Sequence, residues 1–172
     1  MVQNAISPWA TFRFALGYPD ERHLERFHEL FEGTPATLAE LRSLYIELFE
    51  AGLPHPRWPL LEGHYLLNRP VGEVVLENKL YFQHFGLKTA SQAAPDHLLT
   101  QLEFLAWLDH CADAGNLDPE SIGRARLDFV KRHLAHWVPR AAKSMAEREI
   151  PVYSEIFESL VEQIESVGSE DA

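Results

Sequence analysis

One cysteine, Cys111, stands in a chain of 172 residues. A disulfide within the chain and a zinc site built on cysteines are thereby excluded, and so low a count fits an intracellular setting. Positive charge is scarce too: 15 Lys and Arg face 26 Asp and Glu, a formal balance of −11. Such a chain repels phosphate backbones, which argues against nucleic acid as a partner. It favours basic partners and fast, salt-sensitive encounters with them. No run of about 20 apolar residues occurs, so no membrane-spanning helix is expected. The start, MVQNAISPWATFRFALGY, has no basic segment ahead of its apolar residues and contains Pro8. That is not the pattern of a secretory signal. Neither Gly-x-Gly-x-x-Gly nor a phosphate loop ending in Gly-Lys-Ser/Thr is present, so dinucleotide and Walker-type nucleotide binding lack their usual signature. Internal repeats, low-complexity blocks and alternating strands are missing as well. The expectation is a soluble, acidic, cytoplasmic protein.

What the chain does contain is helical periodicity. At 46% hydrophobic and 24% charged residues it has the composition of a globular protein, long enough for one core. Ser7-Pro8 reads as a cap followed by a first-turn proline, with Gly17 as a stop. Asp20 caps a stripe of Leu24, Phe27 and Phe31 that ends at Gly33. Thr37 and Glu40 have capping-box spacing, ahead of Leu38, Leu41, Tyr45, Leu48 and Phe49. Gly52 to Pro59 holds three prolines around Trp58 and reads as a stiff connection. Pro70 opens a further helix and Gly86 closes it. In APDHLLTQLEFLAWL (94–108), Pro95 fits the first helical position and Asp96 the positive end of the helix dipole. Asp118-Pro119 starts a helix with Ile122, Ala125, Phe129, His133 and Trp137 in register as far as Pro139, and Pro151 starts the last. The reading is all-α: one helical domain over residues 1–167, followed by a flexible acidic tail, 168–172.

Catalytic and metal signatures are thin. His133 and His136 share a helix face by spacing, and Glu25 and His28 form one Glu-x-x-His. A di-iron bundle needs two such motifs and two further glutamates, so the plain reading is surface histidines. A helical metal-binding protein or enzyme built on Glu25, His28, His133 and His136 is the alternative. Cys111 and His110 are adjacent on a helix and point in different directions, which makes Cys111 a buried structural thiol. Along the helix after Pro95, Leu98, Leu102 and Leu105 form a core stripe, while Asp96, Thr100, Glu103 and Trp107 form a second one. That second stripe is either a solvated face or a peptide-docking surface of carboxylates and aromatic area, extended by Trp58 and Tyr65. Periodicity does not choose between them.

Four segments in order carry a resemblance. LYIELFEAG at 44–52 is similar to a Tyr-x-x-Leu-Phe element. LEGHY at 61–65 resembles the end of Pro-Tyr-Glu-Ser-x-Tyr, keeping Glu62 and Tyr65 but placing Gly63 and His64 between them. PDHLLTQLEFLAWL at 95–108 resembles Pro-Asp-His-Leu…Glu-(Leu/Phe)-Glu-Phe-Leu. FVKRHLAHWVPR at 129–140 resembles His-Leu-x-x-Trp-x-Pro. These are the elements of the redox-enzyme maturation chaperones of the TorD, DmsD and NarJ type. Residues 53–65 and 75–87 look most like the chaperones of dimethyl-sulfide dehydrogenase, ethylbenzene dehydrogenase, chlorate reductase and selenate reductase. The resemblance implies a TorD-like single-domain helical bundle that is not an enzyme and carries neither cofactor nor metal of its own. It would occur as a monomer or dimer. Its partner would be the catalytic subunit of a molybdoenzyme of the dimethyl sulfoxide reductase family, with its twin-arginine leader. It would assist insertion of the molybdenum cofactor before export. The same resemblance implies that Asp96, His97, Glu62 and Tyr65, with Trp58 and Glu103, line the client-binding groove.

Overall fold

The computed structural model describes residues 6–88, 93–115 and 118–169. Their order is α1 (Pro8–Ala15), α2 (Glu21–Leu30), α3 (Leu38–Tyr45), α4 (Glu62–Tyr65), α5 (Val71–His84), α6 (Leu98–Asp113), α7 (Pro119–Arg132), α8 (Val138–Ala146) and α9 (Tyr153–Ser169). A π-helical turn, Ile46–Glu50, continues α3, and a 3₁₀ turn, Leu134–His136, precedes α8. Among the described residues there is no strand; a single antiparallel bridge joins Leu61 to His97. Among the described residues, no helix is long and apolar enough to cross a membrane. The all-α expectation holds.

Local chemistry sets most of the starts. The Asp20 carboxylate accepts the N–H groups of Arg22 and His23, and the Asp20 N–H donates back to His23 Nδ1, a capping box with histidine in the usual glutamate position. Thr37 and Glu40 close the ordinary form of the box. Asp118 caps α7 through the Ser121 N–H at 2.9 Å, with Pro119 just inside.

Three boundaries differ from the sequence reading. Pro95 does not open α6; the helix begins at Leu98 with His97 as its cap, and Asp96 lies before it in a turn that the His97 N–H closes on the Ala94 carbonyl at 3.1 Å. The helix from Pro119 stops at Arg132 instead of running to Pro139. A proline ring collides with the carbonyl four residues back and donates no N–H, so the chain turns at Leu134–His136 and restarts with Pro139 in the first turn of α8. At the other end, α9 extends through Gly168 and Ser169, so the tail expected from residue 168 begins inside a helix; residues 170–172, like residues 1–5, lie outside the described residues.

The core forms around α6. Leu98, Leu102, Leu105 and Leu108 are fully buried, with α6 packed on α1 and α7, α7 on α9, and α9 on α8. Trp9, Phe27, Phe129, Trp137, Tyr153 and Phe157 fill the space between. Each such side chain stabilises the fold by about 1.5–3 kcal/mol relative to exposure. Cys111 is buried among them, as expected of a structural thiol.

Candidate functional site

Two segments distant in sequence are stitched together at the entrance to α6. The Glu62 N–H donates to the Asp96 carbonyl at 3.0 Å, and the Leu98 N–H to the Leu60 carbonyl at 2.8 Å. This short ladder fixes the loop before α4 against the loop before α6. It also aims the Glu62 side chain inward, where its exposure is 0%.

Burying a carboxylate costs several kcal/mol unless donors replace its water. Glu62 has three. Asn78 Nδ2 from α5 donates at 2.9 Å, Gln101 Nε2 from α6 at 2.6 Å, and His133 from the end of α7, with its proton on Nδ1, at 3.0 Å. Gln101 also donates to Asn78 Oδ1 at 3.0 Å, and Asn78 to the Val74 carbonyl. One carboxylate thus ties together α4, α5, α6 and the turn after α7. Asn78, Gln101 and His133 are themselves fully buried. His133, read from sequence as a surface histidine, is interior because α7 ends beside it and turns it onto Glu62.

The remaining residues of the expected groove fall at different depths. Asp96 is 3% exposed and accepts the Gly63 N–H at 3.2 Å. Burial raises its carboxyl pKa above the ordinary value, the Gly63 N–H opposes that rise, and Glu62 nearby adds to it. Gly63 matters here, since a Cβ at this position would sit 3.0 Å from Val71 and 3.2 Å from the Asp96 carboxylate. His97 is half-buried, and its Nδ1 accepts the Leu99 N–H at 3.2 Å; burial lowers its pKa. Tyr65 is half-buried, stacked on Trp137 with centroids 4.9 Å apart, and burial raises the pKa of its hydroxyl. Trp58, expected at the surface, is interior: its indole N–H donates to Ser144 Oγ on α8 at 3.3 Å. The stripe read as Asp96, Thr100, Glu103 and Trp107 is therefore broken at its first member. Asp96 is neither helical nor exposed.

Glu103 and Trp107 do share a surface. With Phe82, Leu87, Lys88, Ala93, Thr100 and Phe104 they line an open slot of about 320 Å³ between the end of α5 and α6. Its floor is aromatic: Phe82 and Phe104 lie 5.1 Å apart, Phe104 and Trp107 6.3 Å. Among the described residues, the one ion pair of Glu103, on its rim, is with Arg13 at 3.4 Å. The arrangement offers an apolar recess with one exchangeable carboxylate.

The metal alternative does not assemble. Glu25 and His28 are exposed on α2, His136 is exposed after α7, and His133 is committed to Glu62. Among the described residues, no group of three or more His, Cys, Asp or Glu side chains could hold a metal ion.

The fold is that of a redox-enzyme maturation protein: it superposes with a TM-score of 0.56 on a putative one from Archaeoglobus fulgidus, covering 91% of this chain and 93% of that one at 22% identity. Residues 15–143 match the family described as nitrate reductase delta subunit, and the chain belongs to that family. Among its relatives are the selenate reductase assembly chaperone of Thauera selenatis and the chlorate reductase assembly chaperone of Ideonella dechloratans. Each is 35% identical over 158 residues, covering 87% of this chain and 80% of the relative. These relatives are named as assembly chaperones, not catalysts. The matched segment contains Glu62, Asp96, His97, Gln101 and His133, so the buried cluster lies wholly within the family region.

Proposed function

We propose that this protein is an assembly chaperone for the catalytic subunit of a molybdoenzyme of the selenate and chlorate reductase kind. The likeness to two such chaperones over 87% of the chain carries this reading. In it the protein performs no chemistry. It binds the immature catalytic subunit in the cytoplasm, keeps it open for insertion of the molybdenum cofactor, and engages its twin-arginine leader before export. The slot on α6 suits that role. Its aromatic floor takes apolar side chains, and the Glu103 carboxylate can exchange Arg13 for a leader guanidinium held bidentately. Asp96, His97, Glu62, Tyr65 and Trp58 belong to the same site as its frame. They fix the start of α6 and the loop beside it, and so fix where Glu103 and Trp107 stand.

Purification of the tagged protein from its native host, with mass spectrometry of what accompanies it, tests the proposal. The expected companion is a molybdoenzyme catalytic subunit retaining its leader, and metal analysis should find no stoichiometric metal on the chaperone alone. A tightly bound metal with no such companion would overturn it.

A further inference from the structure

A second surface has the opposite electrostatic character. The loop before α4 and α4 itself pack along α8 through two ties: the Trp58 indole to Ser144 at 3.3 Å, and Arg140 Nη1 to the Tyr65 carbonyl at 2.8 Å. Arg140 and Ser144 are one turn apart on α8, so the ties run along one seam. Residues 51–61 contain no Asp or Glu, and neither does α8. The exposed ionic groups of the seam are Arg57, Arg140 and Lys143. Beside them His55 and His64 meet edge to face, centroids 4.3 Å apart. Carboxylates only border it: Glu50 before the loop, and Glu147 at 4.0 Å from Lys143.

Arginines elsewhere are largely neutralised, as in Arg22 with Asp20, Arg69 with Glu77, Arg124 with Glu120 and Arg132 with Asp128. Among the described residues, Arg57 and Arg140 have no carboxylate partner. Arg57 lies over the Trp58 ring at 5.5 Å, and Arg140 is held by a neutral carbonyl. Two guanidiniums without counter-charge, on a chain of net charge −11, form a local field of the opposite sign to the whole. Leu53, four residues before Arg57, and Leu67, two residues after Tyr65, are 100% and 89% exposed. Meanwhile the carboxylates beside the α4 end of the seam, Glu62 and Asp96, are buried, so the exposed carboxylates near it are the bordering Glu50 and Glu147.

We infer that the seam docks an acidic segment of the client polypeptide, carboxylates on Arg57 and Arg140 and aliphatic side chains against Leu53 and Leu67. That the segment belongs to a client rests on the chaperone reading above; the chemistry does not. Guanidinium and carboxylate match in planar, two-pronged geometry, and the surface would complement the carboxylate slot on α6.

The test uses fluorescence anisotropy with a labelled peptide of Glu-Leu-Ser repeats, a matched peptide with Gln for every Glu, and one with Lys. The full chain should bind the acidic peptide, more weakly as salt rises, and should not bind the Gln peptide. Arg57→Gln combined with Arg140→Gln should weaken binding about tenfold or more, while Arg124→Gln, on α7, should not. Arg57→Glu with Arg140→Glu should capture the Lys peptide instead. An unchanged melting temperature verifies each fold. If the double variant does not fold, Arg57→Gln alone carries the test, since that guanidinium makes no hydrogen bond among the described residues. Equal affinity for the acidic and Gln peptides, or wild-type affinity in the double variant, would overturn the inference. So would displacement by millimolar pyrophosphate with the same arginine dependence, which would make the seam a small-anion site. Client capture that survives the double variant, with no peptide binding, sinks this inference alone. Absence of any client from the wild type sinks the chaperone reading alone, because the peptide assay needs no client.

Discussion

Glu62 and Glu103 are the same side chain under opposite conditions. Glu62 is wholly enclosed, with donors from α5, α6 and the turn after α7 converging on it. Glu103 is 65% exposed on a slot rim, touched by one arginine at 3.4 Å. A charge that is buried and satisfied holds structure and is costly to disturb, because its partners lose their acceptor with it. A charge at the surface contributes little to stability and is free to change partners. The two glutamates therefore divide the site into an inner frame and an outer contact surface, and substitutions should sort along that line.

The largest effect belongs to the frame. Glu62→Ala strands the donors of Asn78, Gln101 and His133 in the interior, and should destabilise the protein by about 3–5 kcal/mol, the cost of breaking a buried pair from one side. That is a large part of the roughly 5–15 kcal/mol available to a domain. Urea unfolding followed by circular dichroism measures it. A loss below about 1 kcal/mol would mean the cluster is not what joins these helices.

Next comes the aromatic floor of the slot. Trp107→Ala should raise the dissociation constant for the client catalytic subunit roughly thirtyfold, as for a central interface tryptophan worth about 2 kcal/mol. The stability loss should be smaller than for Glu62→Ala, because Trp107 is only half-buried. Calorimetric titration of the folded variant reads the affinity; unchanged binding would remove the slot from the contact surface.

This division was only partly legible in the chain. Local chemistry announced itself: Asp20, Thr37 with Glu40, and Asp118 read correctly as caps, and Leu98, Leu102 and Leu105 as core. The frame did not, because its contacts join residues 16, 39 and 71 positions apart, and no periodicity encodes such distances. A weaker signal was present. Asn78 stands between Val74 and Phe82, Gln101 among the leucines of α6, and His133 after Phe129, each a polar side chain on an apolar stripe. Polar residues placed in that way are buried with partners more often than they are idle. The direction of Asp96 was illegible for a different reason. Pro95 is an ordinary helix opener, and only the ladder between 60–62 and 96–98 shows that the chain makes a turn there and enters the helix three residues later.

A smaller effect tests the outer glutamate. Glu103→Gln should leave stability within about 0.5 kcal/mol and weaken client binding by about 1 kcal/mol or less. Its clearer mark should be kinetic. Association measured from low to high salt should fall less steeply than for the wild type, since steering acts through exposed charge screened over about 8–10 Å at physiological ionic strength. Identical salt dependence in both proteins would show that Glu103 takes no part in steering.

The smallest effect lies at the junction of the two regions, on His97. Its Nδ1 accepts the Leu99 N–H and so caps α6, a function that only an unprotonated Nδ1 can serve. Burial lowers its pKa in the folded protein from the ordinary 6.5, so between those two values the unfolded chain binds more protons. The stability due to His97 is then fully present above 6.5 and declines as pH falls through the lowered value. Asp96 next to it runs the other way. Its raised pKa gives a contribution fully present below the ordinary 3.8 and lost as pH climbs through the raised value, an interval that starts far more acidic. His97→Asn keeps an accepting cap without a titrating ring. Unfolding free energies of wild type and variant, measured from about pH 8 down to 5, should keep a constant difference at first. Below 6.5 the wild type should lose ground by about 0.5 kcal/mol, the low end of the worth of one cap. Two curves that stay parallel throughout would show that His97 remains neutral or that its cap is redundant, and would leave the Leu61–His97 bridge as the element that orders the start of α6.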